Sequence, residues 1–340
     1  MTTRSFEVVA ATAICLLAFL PGATAAGGSP AFRVLLFTKT AGFRHDSIPA
    51  ATAAIEQLGA RGDFAVDSTE DAGAFTDANL ARYRVVAFVL TSGDVLDPNQ
   101  QAAFVRFVRH GGGFVGVHSA SDTEYDWPWY GALLGAYFKS HPEIQQATID
   151  VTNLRTPSTV HLPAQWTRTD EWYDFQHSPR GSVSVLATLD ESNYSPGPDA
   201  MGSDHPIMWQ HVYDGGRSWY FAGGHTSASY AEPLFRDALL GGILWAGGLD
   251  LPHIASTTAQ VAGRRLTVTI HHNACVTCRV RLSVRAAGRS TTFAVPGQGT
   301  LTRARTAPLL PGSWRYTVTL VDTAMAAHAA ASGRIRVPNG

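Results

Sequence analysis

The sequence predicts an α/β protein in which a parallel sheet is covered by helices, followed by a small C-terminal β-sandwich. Between residues 32 and 248, uninterrupted apolar runs at 32–38, 85–90 and 114–117 alternate with segments of helical periodicity. Such runs are typical of strands buried on both faces, and their alternation with helices implies right-handed crossovers. Within 259–338, short alternating strands are separated by turns rich in Gly and Pro, which is typical of a sandwich.

Composition and charge narrow the class of protein. The 340 residues suffice for about two domains, and 45% of them are hydrophobic, which suits a large core. The net charge is −1, and the pI is about 6.9. We therefore expect neither nucleic acid nor an anionic membrane as a partner.

Residues 1–26 have the layout of a signal peptide. Arg4 precedes an apolar run at 8–20, and Ala23-Thr24-Ala25 forms a small-residue cleavage site. The run is shorter than the ~20 residues that a membrane span needs. We therefore expect cleavage of this segment, no stable membrane insertion afterwards, and a secreted or extracytoplasmic protein.

Cleavage would remove Cys15 and leave Cys275 and Cys278 as a close pair. An even number of cysteines in an oxidising compartment favours a disulfide between them. A redox centre or half of a zinc site is the alternative interpretation of a C-x-x-C pair, although the sequence contains no second pair of this kind.

Capping and turn signals define further elements of the first domain. Asp97 and Pro98 are typical of an N-cap and a first helical position, and the glycines at 111–113 end the helix that they begin. Asp214-Gly215-Gly216 predicts a hairpin. An apolar-faced helix over 230–247 closes the domain.

Histidines follow predicted strands at three places in the first domain. His45 comes after the first strand, His118 directly after the central one, and His225 after the hairpin. Because the carboxyl ends of parallel strands meet at one edge of a sheet, we expect a shared site there. The strand–turn–helix around His118 is typical of a nucleophile elbow, and this histidine can serve as base, acid or metal ligand. No Gly-x-Ser-x-Gly frame supports Ser119 as a nucleophile.

Carboxylates and further histidines supply the remaining polar candidates. Glu171 is the preferred acid–base group, because burial beside Trp172 would raise its pKa, and a solvated surface carboxylate is the alternative. A divalent metal ion is a second alternative, although no H-E-x-x-H spacing occurs. Its candidate ligands are His118, Asp122 and His141, with Glu171, His205 and His225 as further possible donors. The sequence defines no cofactor with certainty.

Tryptophans are concentrated near these polar segments. Aromatic rings can stack on the C–H faces of sugars while polar neighbours bind the hydroxyls, which favours a carbohydrate substrate; core packing is the alternative for each ring. The candidate substrate-binding residues are Asp122, Trp127, Trp172, His141, His205 and Trp209.

Several ordered blocks resemble the ThuA-like (trehalose utilisation) family over about residues 32–248. These blocks are VLLFTKTAGFRHDSIPAA, GGGFVGVHSASDTEYDWPWYGALLGAYFKSHP, TRTDEWYDF, MGSDHPIMW and GGHTSASYAEPLFRDALLGGILWAGG. The resemblance implies a fold similar to class I glutamine amidotransferases, a flavodoxin-like doubly wound parallel sheet with helices on both faces. It also implies that His118 stands where amidotransferases have cysteine, which excludes amidotransferase chemistry.

The same resemblance implies sugar metabolism and a set of site residues, namely His45, His118, Asp122, His141, Glu171, His205 and His225. We expect an exported hydrolase or lyase that cleaves a glycosidic, or 3-keto-glycosidic, bond by acid–base catalysis. His118 and Glu171 would share proton transfer, while His45 and His225 orient the substrate. A non-catalytic glycan-binding module and a cell-surface interaction protein are the alternatives. The domain at 259–338 lies outside the resemblance and is similar only to generic immunoglobulin-like modules.

Overall fold

The structure of the chain, a computed structural model, describes residues 30–273, 278–286, 289–296, 300–322, 324–325 and 327–338. The predicted signal peptide and Cys275 lie outside these residues. Cys278 is disulfide-bonded, and its pairing with Cys275 stays a prediction. None of the helices in the described part of the chain is both long and apolar enough to cross a membrane.

The first part of the chain alternates strands and helices as the apolar runs predict. Helix α3 begins at a capping box, in which the Asp97 side chain accepts hydrogen bonds from the backbone N–H groups of Asn99 and Gln100. The elements are β1 Phe32–Phe37, α1 Ile48–Gly62, β2 Phe64–Thr69, α2 Asp77–Leu80, β3 Val85–Val89, α3 Pro98–Arg109, β4 Gly113–Val117, α4 Pro128–Leu134, β5 Phe138–Ser140, β6 Gln145–Val151, β7 Gln165–Asp170, β8 Asp174–Phe175, β9 Ser184–Leu189, β10 His205–Tyr213, β11 Gly216–Phe221 and α5 Pro233–Ala246.

These strands form a nine-stranded sheet in the order β2-β1-β3-β4-β11-β10-β9-β6-β7. The pairings from β2 to β11 are parallel, whereas those from β11 to β7 are antiparallel. The predicted parallel sheet is therefore present in the first half, and the predicted hairpin belongs to an antiparallel second half. The physical reason lies in the turn between β10 and β11, because so short a connection can join only antiparallel strands.

The antiparallel half of the sheet curls back toward the parallel half. Strands β7 and β11 are separated by four strand spacings, or ~19 Å in a flat sheet. Nevertheless, the rings of Trp166 on β7 and Phe221 on β11 have centroids only 6.1 Å apart. This curl brings the carboxyl end of β7 next to the carboxyl ends of β4 and β11.

The C-terminal part of the chain contains two antiparallel sheets, β12-β13-β16 and β15-β14-β17-β18. Val268 and Ile270 from the first sheet and Leu282 and Val318 from the second are fully buried in one shared cluster. The assignment of these two sheets to an immunoglobulin-like β-sandwich stays a prediction. The strands are β12 Ile254–Ala262, β13 Arg265–His272, β14 Cys278–Ala286, β15 Arg289–Pro296, β16 Leu301–Arg305, β17 Gly312–Asp322 and β18 Ala327–Val337.

The end of the β17–β18 hairpin contacts the first domain. Ala324, Met325 and Ala327 are buried in the hydrophobic cluster of the α/β domain. In addition, the Arg61 guanidinium donates a 3.1 Å hydrogen bond to the carbonyl oxygen of Ala324. The two domains therefore meet at this hairpin end.

The packing of α5 against the loop before β7 can be tested by a substitution at Gly241. A Cβ atom at Gly241 would lie 2.1 Å from the carbonyl oxygen of Pro157, which is backbone and cannot rotate away. We expect Gly241→Ala to lower the free energy of unfolding by at least ~2 kcal/mol, measured by urea denaturation. Gly181→Ala is the matched control, because a Cβ there meets nothing within 4 Å; equal losses in both variants would contradict the packing argument.

Candidate active site

His118 occupies a strained turn at the end of the central strand. Its φ angle is 53°, in the left-handed region that only a few per cent of non-glycine residues adopt. Tyr220 on β11 donates a 2.8 Å hydrogen bond to the His118 carbonyl oxygen, which helps to hold this backbone in place. The imidazole is completely buried. The structure thus places a histidine on an elbow of the kind that its sequence position predicts.

Three imidazoles converge on the carboxylate of Glu171. Its Oε2 atom lies 3.3 Å from His118 Nε2 and 3.0 Å from His225 Nδ1, and its Oε1 atom lies 3.3 Å from His141 Nδ1. His45 completes the group, with its ring centroid 4.9 Å from that of His118. We call His45, His118, Glu171 and His225 the histidine–glutamate cluster.

A backbone carbonyl fixes the orientation of His118. Its Nδ1 atom lies 2.6 Å from the carbonyl oxygen of Ala222, an atom that can only accept. Nδ1 therefore holds a proton, and a neutral ring presents its Nε2 lone pair to the Glu171 carboxylate and to His225. Two lone pairs facing each other at 3.3 Å need a positive charge between them, supplied by a proton or by a metal ion.

The cluster is held in place by a buried ion pair beneath it. Arg168 and Asp170 form a 2.5 Å contact, and both side chains are almost fully buried. Asp170 also accepts hydrogen bonds from the backbone N–H groups of Glu171, Gly224 and His225. One carboxylate thus fixes the two loops that supply Glu171 and His225. Asp170 lies in the TRTDEWYDF block, but its sequence position alone predicts no role for it.

The neighbouring imidazoles set the charge of Glu171. Burial alone raises the pKa of this carboxyl group, but hydrogen bonds from His118 and His225 outweigh burial and hold it well below its usual value. The expectation that aromatic surroundings raise the pKa of Glu171 is therefore wrong. Conversely, the hydrogen bond with Glu171 raises the pKa of His225. Burial, followed by the charges of His118 and His225, lowers the pKa of His45 to about 3, so this ring is neutral at neutral pH.

The donor set and spacing of the cluster fit a divalent transition metal ion. Imidazole nitrogens and a carboxylate oxygen are the ligands that zinc and similar ions take. Two ligands at zinc bond lengths and a tetrahedral angle lie ~3.3 Å apart. His118 Nε2, His225 Nδ1 and Glu171 Oε2 are separated by 3.3, 3.0 and 3.3 Å. His45, His118, Glu171 and His225 each offer one ligand atom, and these four atoms lie within 4.8 Å of one another.

The structure separates the other predicted residues from this cluster. Asp122 is a partly buried neighbour that accepts a hydrogen bond from Tyr125, and burial raises its pKa. His205 is fully buried and contacts the carbonyl oxygen of Tyr173 instead of the cluster. The group of side chains that could hold a metal ion contains His118 with His45, Glu171 and His225, but not Asp122. His141 contacts the Oε1 atom of Glu171.

The tryptophans are packing residues. Trp172 and Trp209 are 0% exposed, and their indole N–H groups donate to backbone carbonyls of Gln145 and Leu134, so neither can stack on a sugar. Trp127 is partly buried and packs against Trp129 and Tyr130. The prediction that these rings form a sugar platform is wrong for Trp172 and Trp209, because Trp209 on β10 and Trp172 in the loop after β7 both fill the core.

Two other aromatic rings lie at the open side of the site. Phe43 is 63% exposed, and its ring contacts that of His45 with centroids 4.8 Å apart. Tyr125 is 38% exposed, beside Asp122. The sequence signal for both was their position inside the blocks that contain His45 and Asp122.

A second group of titratable side chains lies behind Tyr173. Asp174, Glu191 and His205 have ligand atoms within 4.8 Å of one another. Both ring nitrogens of His205 are already in hydrogen-bond contact, with Tyr173 and Glu191. Within this group of three residues, Asp174 Oδ1 is the one buried side-chain atom without a hydrogen-bond partner. This group is therefore less suited to bind a metal ion than the histidine–glutamate cluster is.

Comparisons with known proteins agree with this architecture. Residues 33–246 match the family profile described as ThuA, trehalose utilisation. The structure is similar to a ThuA-like protein from Bacteroides uniformis, with 25% identity and a TM-score of 0.56, covering 65% of this chain and 93% of that one. It is also similar to a ThuA-like protein from Parabacteroides merdae, with 21% identity and a TM-score of 0.55, covering 64% and 91%. No curated protein matches the sequence.

The α/β fold of residues 33–246 is thus that of a ThuA-like domain. Since the profile covers more than half of the chain, the protein belongs to the ThuA (trehalose utilisation) family. The C-terminal sheets lie beyond the matched residues.

The ion pair beneath the cluster gives a stability prediction. Asp170→Ala removes the acceptor of three backbone N–H groups. It also removes one of the two carboxylates that pair with Arg168, so that only Glu232 remains. We expect a loss of at least ~3 kcal/mol in urea denaturation. The control is Asp204→Ala, which removes an ion pair with Arg180 that is exposed at both ends, and should cost less than ~1 kcal/mol. Similar losses would mean that burial does not strengthen the Asp170 contacts.

Asp174 gives a prediction for pH dependence. Burial, then the charges of Glu191 and Asp199, raises the pKa of Asp174 to about 7. Between pH ~4 and ~7 the folded state therefore binds a proton that the unfolded chain has released, so stability falls as the pH rises through this window. We expect Asp174→Asn to flatten this decline in denaturation experiments across the window.

The control for Asp174 is Asp190→Asn, because hydrogen bonds from Ser192 keep the pKa of Asp190 below its usual value and thus below the window. This control should retain the decline of the unmodified protein. An Asp174→Asn variant with an unchanged slope would contradict the raised pKa.

Proposed function

We propose that this protein is an exported carbohydrate-active enzyme that cleaves a glycosidic, or 3-keto-glycosidic, bond. The observation that supports it most is the convergence of His118, His141 and His225 on the ionised, buried Glu171. Groups with strongly shifted pKa values at one sheet edge are typical of active sites. Membership of a family described by trehalose utilisation favours a sugar as substrate.

We infer further that the histidine–glutamate cluster binds a divalent transition metal ion. The three nearly equal separations and the lone pair of His118 support this assignment. A bound ion would supply Lewis-acid activation of a substrate oxygen. Because both Glu171 and His118 would then serve as ligands, the proton transfer that the sequence analysis assigned to this pair moves to neighbouring groups.

Asp122 and His141 are the neighbours suited to proton transfer. Asp122 has a raised pKa, so it is the better donor of a proton to the leaving oxygen, whereas Glu171 remains ionised. His141 is 41% exposed and can exchange protons with solvent. With a 3-keto-sugar, a base such as His141 would remove the acidified proton at C2 while Asp122 protonates the leaving oxygen, which completes an elimination.

Phe43 and Tyr125 replace the buried tryptophans as the stacking surface. Their exposed rings flank His45 and Asp122, so a sugar held between them faces the cluster. The same exposed rings also suit a non-catalytic glycan-binding module, which is the second candidate function. In that case Phe43→Ala would weaken glycan binding while His118→Ala would not.

The proposal also includes a flavodoxin-like first domain, an immunoglobulin-like C-terminal domain and secretion of the protein. The strand order β2-β1-β3-β4 agrees with a flavodoxin-like doubly wound sheet. The shared core of the two C-terminal sheets supports an immunoglobulin-like sandwich. The charged start, apolar run and small-residue site before residue 26 support secretion.

The function is tested by metal analysis and a substrate screen on the same purified protein. We expect a stoichiometric divalent transition metal ion by mass spectrometry, and turnover of a glycoside or 3-keto-glycoside that a chelator abolishes. His118→Ala and Glu171→Gln should lose the ion and reduce turnover at least ~100-fold. His110→Ala, which changes an exposed histidine, is the matched control and should retain both.

Each part of the proposal can fail separately. Folded His118→Ala or Glu171→Gln variants with full turnover would overturn the catalytic assignment. Turnover in protein without metal would overturn the metal site alone. Glycan binding that gives no product with any glycoside would favour the binding module.

A further inference from the structure

The C-terminal sheets differ sharply in charge from the rest of the chain. Residues 251–340 contain eleven arginines, no lysine and a single acidic residue, Asp322. Their net charge is therefore +10, whereas residues 1–250 have a net charge of −11. The overall value of −1 conceals a strongly basic module joined to an acidic domain.

Six of these arginines lie on one face of the four-stranded sheet. In β14, β17 and β18 the arginines are exposed and alternate with buried residues such as Leu282 and Tyr316. Since paired residues in neighbouring strands point to the same side of a sheet, the register assigns them to a common outer face. They are Arg279, Arg281, Arg285, Arg315, Arg334 and Arg336.

Three of them form a row directly across the strands. Arg285 pairs with Arg315, and Arg315 pairs with Arg334. Like charges directly opposite each other destabilise a sheet. No ion pair to any of the six arginines occurs among the residues that the structure describes. The repulsion within this arginine row is therefore uncompensated by the described part of the chain.

The row is also accessible. It lies seven residues along β17 from Asp322, or ~23 Å, at the end of the hairpin away from the contact with the α/β domain. A surface depression of about 560 Å³ lies there and is lined by Arg285, Arg315, Arg334 and Arg336. An extended partner can thus reach the guanidinium groups without meeting the first domain.

We propose that this arginine face binds an anionic polysaccharide. Guanidinium groups bind carboxylate and sulfate groups through paired hydrogen bonds. Between the arginines, the register places hydroxyl side chains such as Ser283, Thr317 and Ser332 on the same face. Hydroxyl groups can hydrogen-bond to the sugar ring, so the face offers donors for both parts of such a polymer.

The composition of the face argues against other polyanions. Stacking of nucleic-acid bases requires exposed aromatic rings, and the aromatic residues of β17, Trp314 and Tyr316, are buried. Insertion into a lipid surface requires exposed apolar side chains. The exposed large hydrophobic residues described in this module, Leu301 and Leu310, are outside the four-stranded sheet. The inference is independent of the histidine–glutamate cluster.

The test measures binding of the full-length mature protein to fluorescent dextran sulfate, with uncharged dextran of the same length for comparison. We expect binding to dextran sulfate that weakens steeply with salt, and none to dextran. Replacing the row by Arg285→Gln, Arg315→Gln and Arg334→Gln together should weaken it at least ~10-fold and reduce the salt dependence. Because the substitutions remove repulsion, the melting temperature should not fall.

The matched control removes the same charge from the other sheet, by Arg265→Gln, Arg303→Gln and Arg305→Gln, all of which are exposed. It should weaken binding less than ~3-fold. Equal loss in both triple variants would overturn the assignment to the row. Tighter binding to duplex DNA or to phosphatidylglycerol vesicles than to dextran sulfate would overturn the assignment of an anionic polysaccharide as the ligand.

Discussion

The contact between Arg168 and Asp170 is the interaction on which the site depends. Asp170 is fully buried and accepts hydrogen bonds from Arg168, Ser229 and the backbones of Glu171, Gly224 and His225. These donors satisfy the buried carboxylate without solvent, and they join the end of β7 to the loop after β11. Loss of these bonds would free Glu171 from His225, and the cluster would lose its shape.

The strained backbone conformation of His118 is explained by the hydrogen bonds around it. A left-handed histidine costs energy, and the surrounding contacts of its carbonyl and Nδ1 atom with Tyr220 and Ala222 compensate for that cost. The ring therefore enters the cluster in one tautomer and one orientation. Rigid supporting contacts of this kind are what a metal or proton-transfer site needs, because small displacements of a ligand weaken both.

Much of the α/β domain could be predicted from the sequence, since its signals are local. Uninterrupted apolar runs identified β1, β3 and β4, and the capping residues Asp97 and Pro98 identified the start of α3. The position of His45, His118 and His225 after strands predicted their proximity, because parallel strands order their carboxyl ends along one edge. The curl of the antiparallel half could not be predicted, since it depends on packing between Trp166 and Phe221 across three intervening strands.

Errors arose where burial decides the role of a residue. A tryptophan in a polar segment has the same sequence signal whether it faces solvent or the core, and Trp172 and Trp209 face the core. The direction of the Glu171 pKa shift depended on two imidazoles from distant segments, His118 and His225, instead of on its sequence neighbour. The basic character of residues 251–340 was present in the sequence, but averaging the charge over the whole chain concealed it.

The curl of the sheet has a consequence for how the protein folds. The cluster combines residues 45, 118, 171 and 225, so its formation closes chain loops of more than fifty residues at every step. Such distant contacts form slowly and late, because closing each loop costs conformational entropy before the new contacts contribute any stabilising free energy. The histidine–glutamate cluster thus exists only once β7 has returned to β11, and a partly folded chain lacks the proposed ligand set.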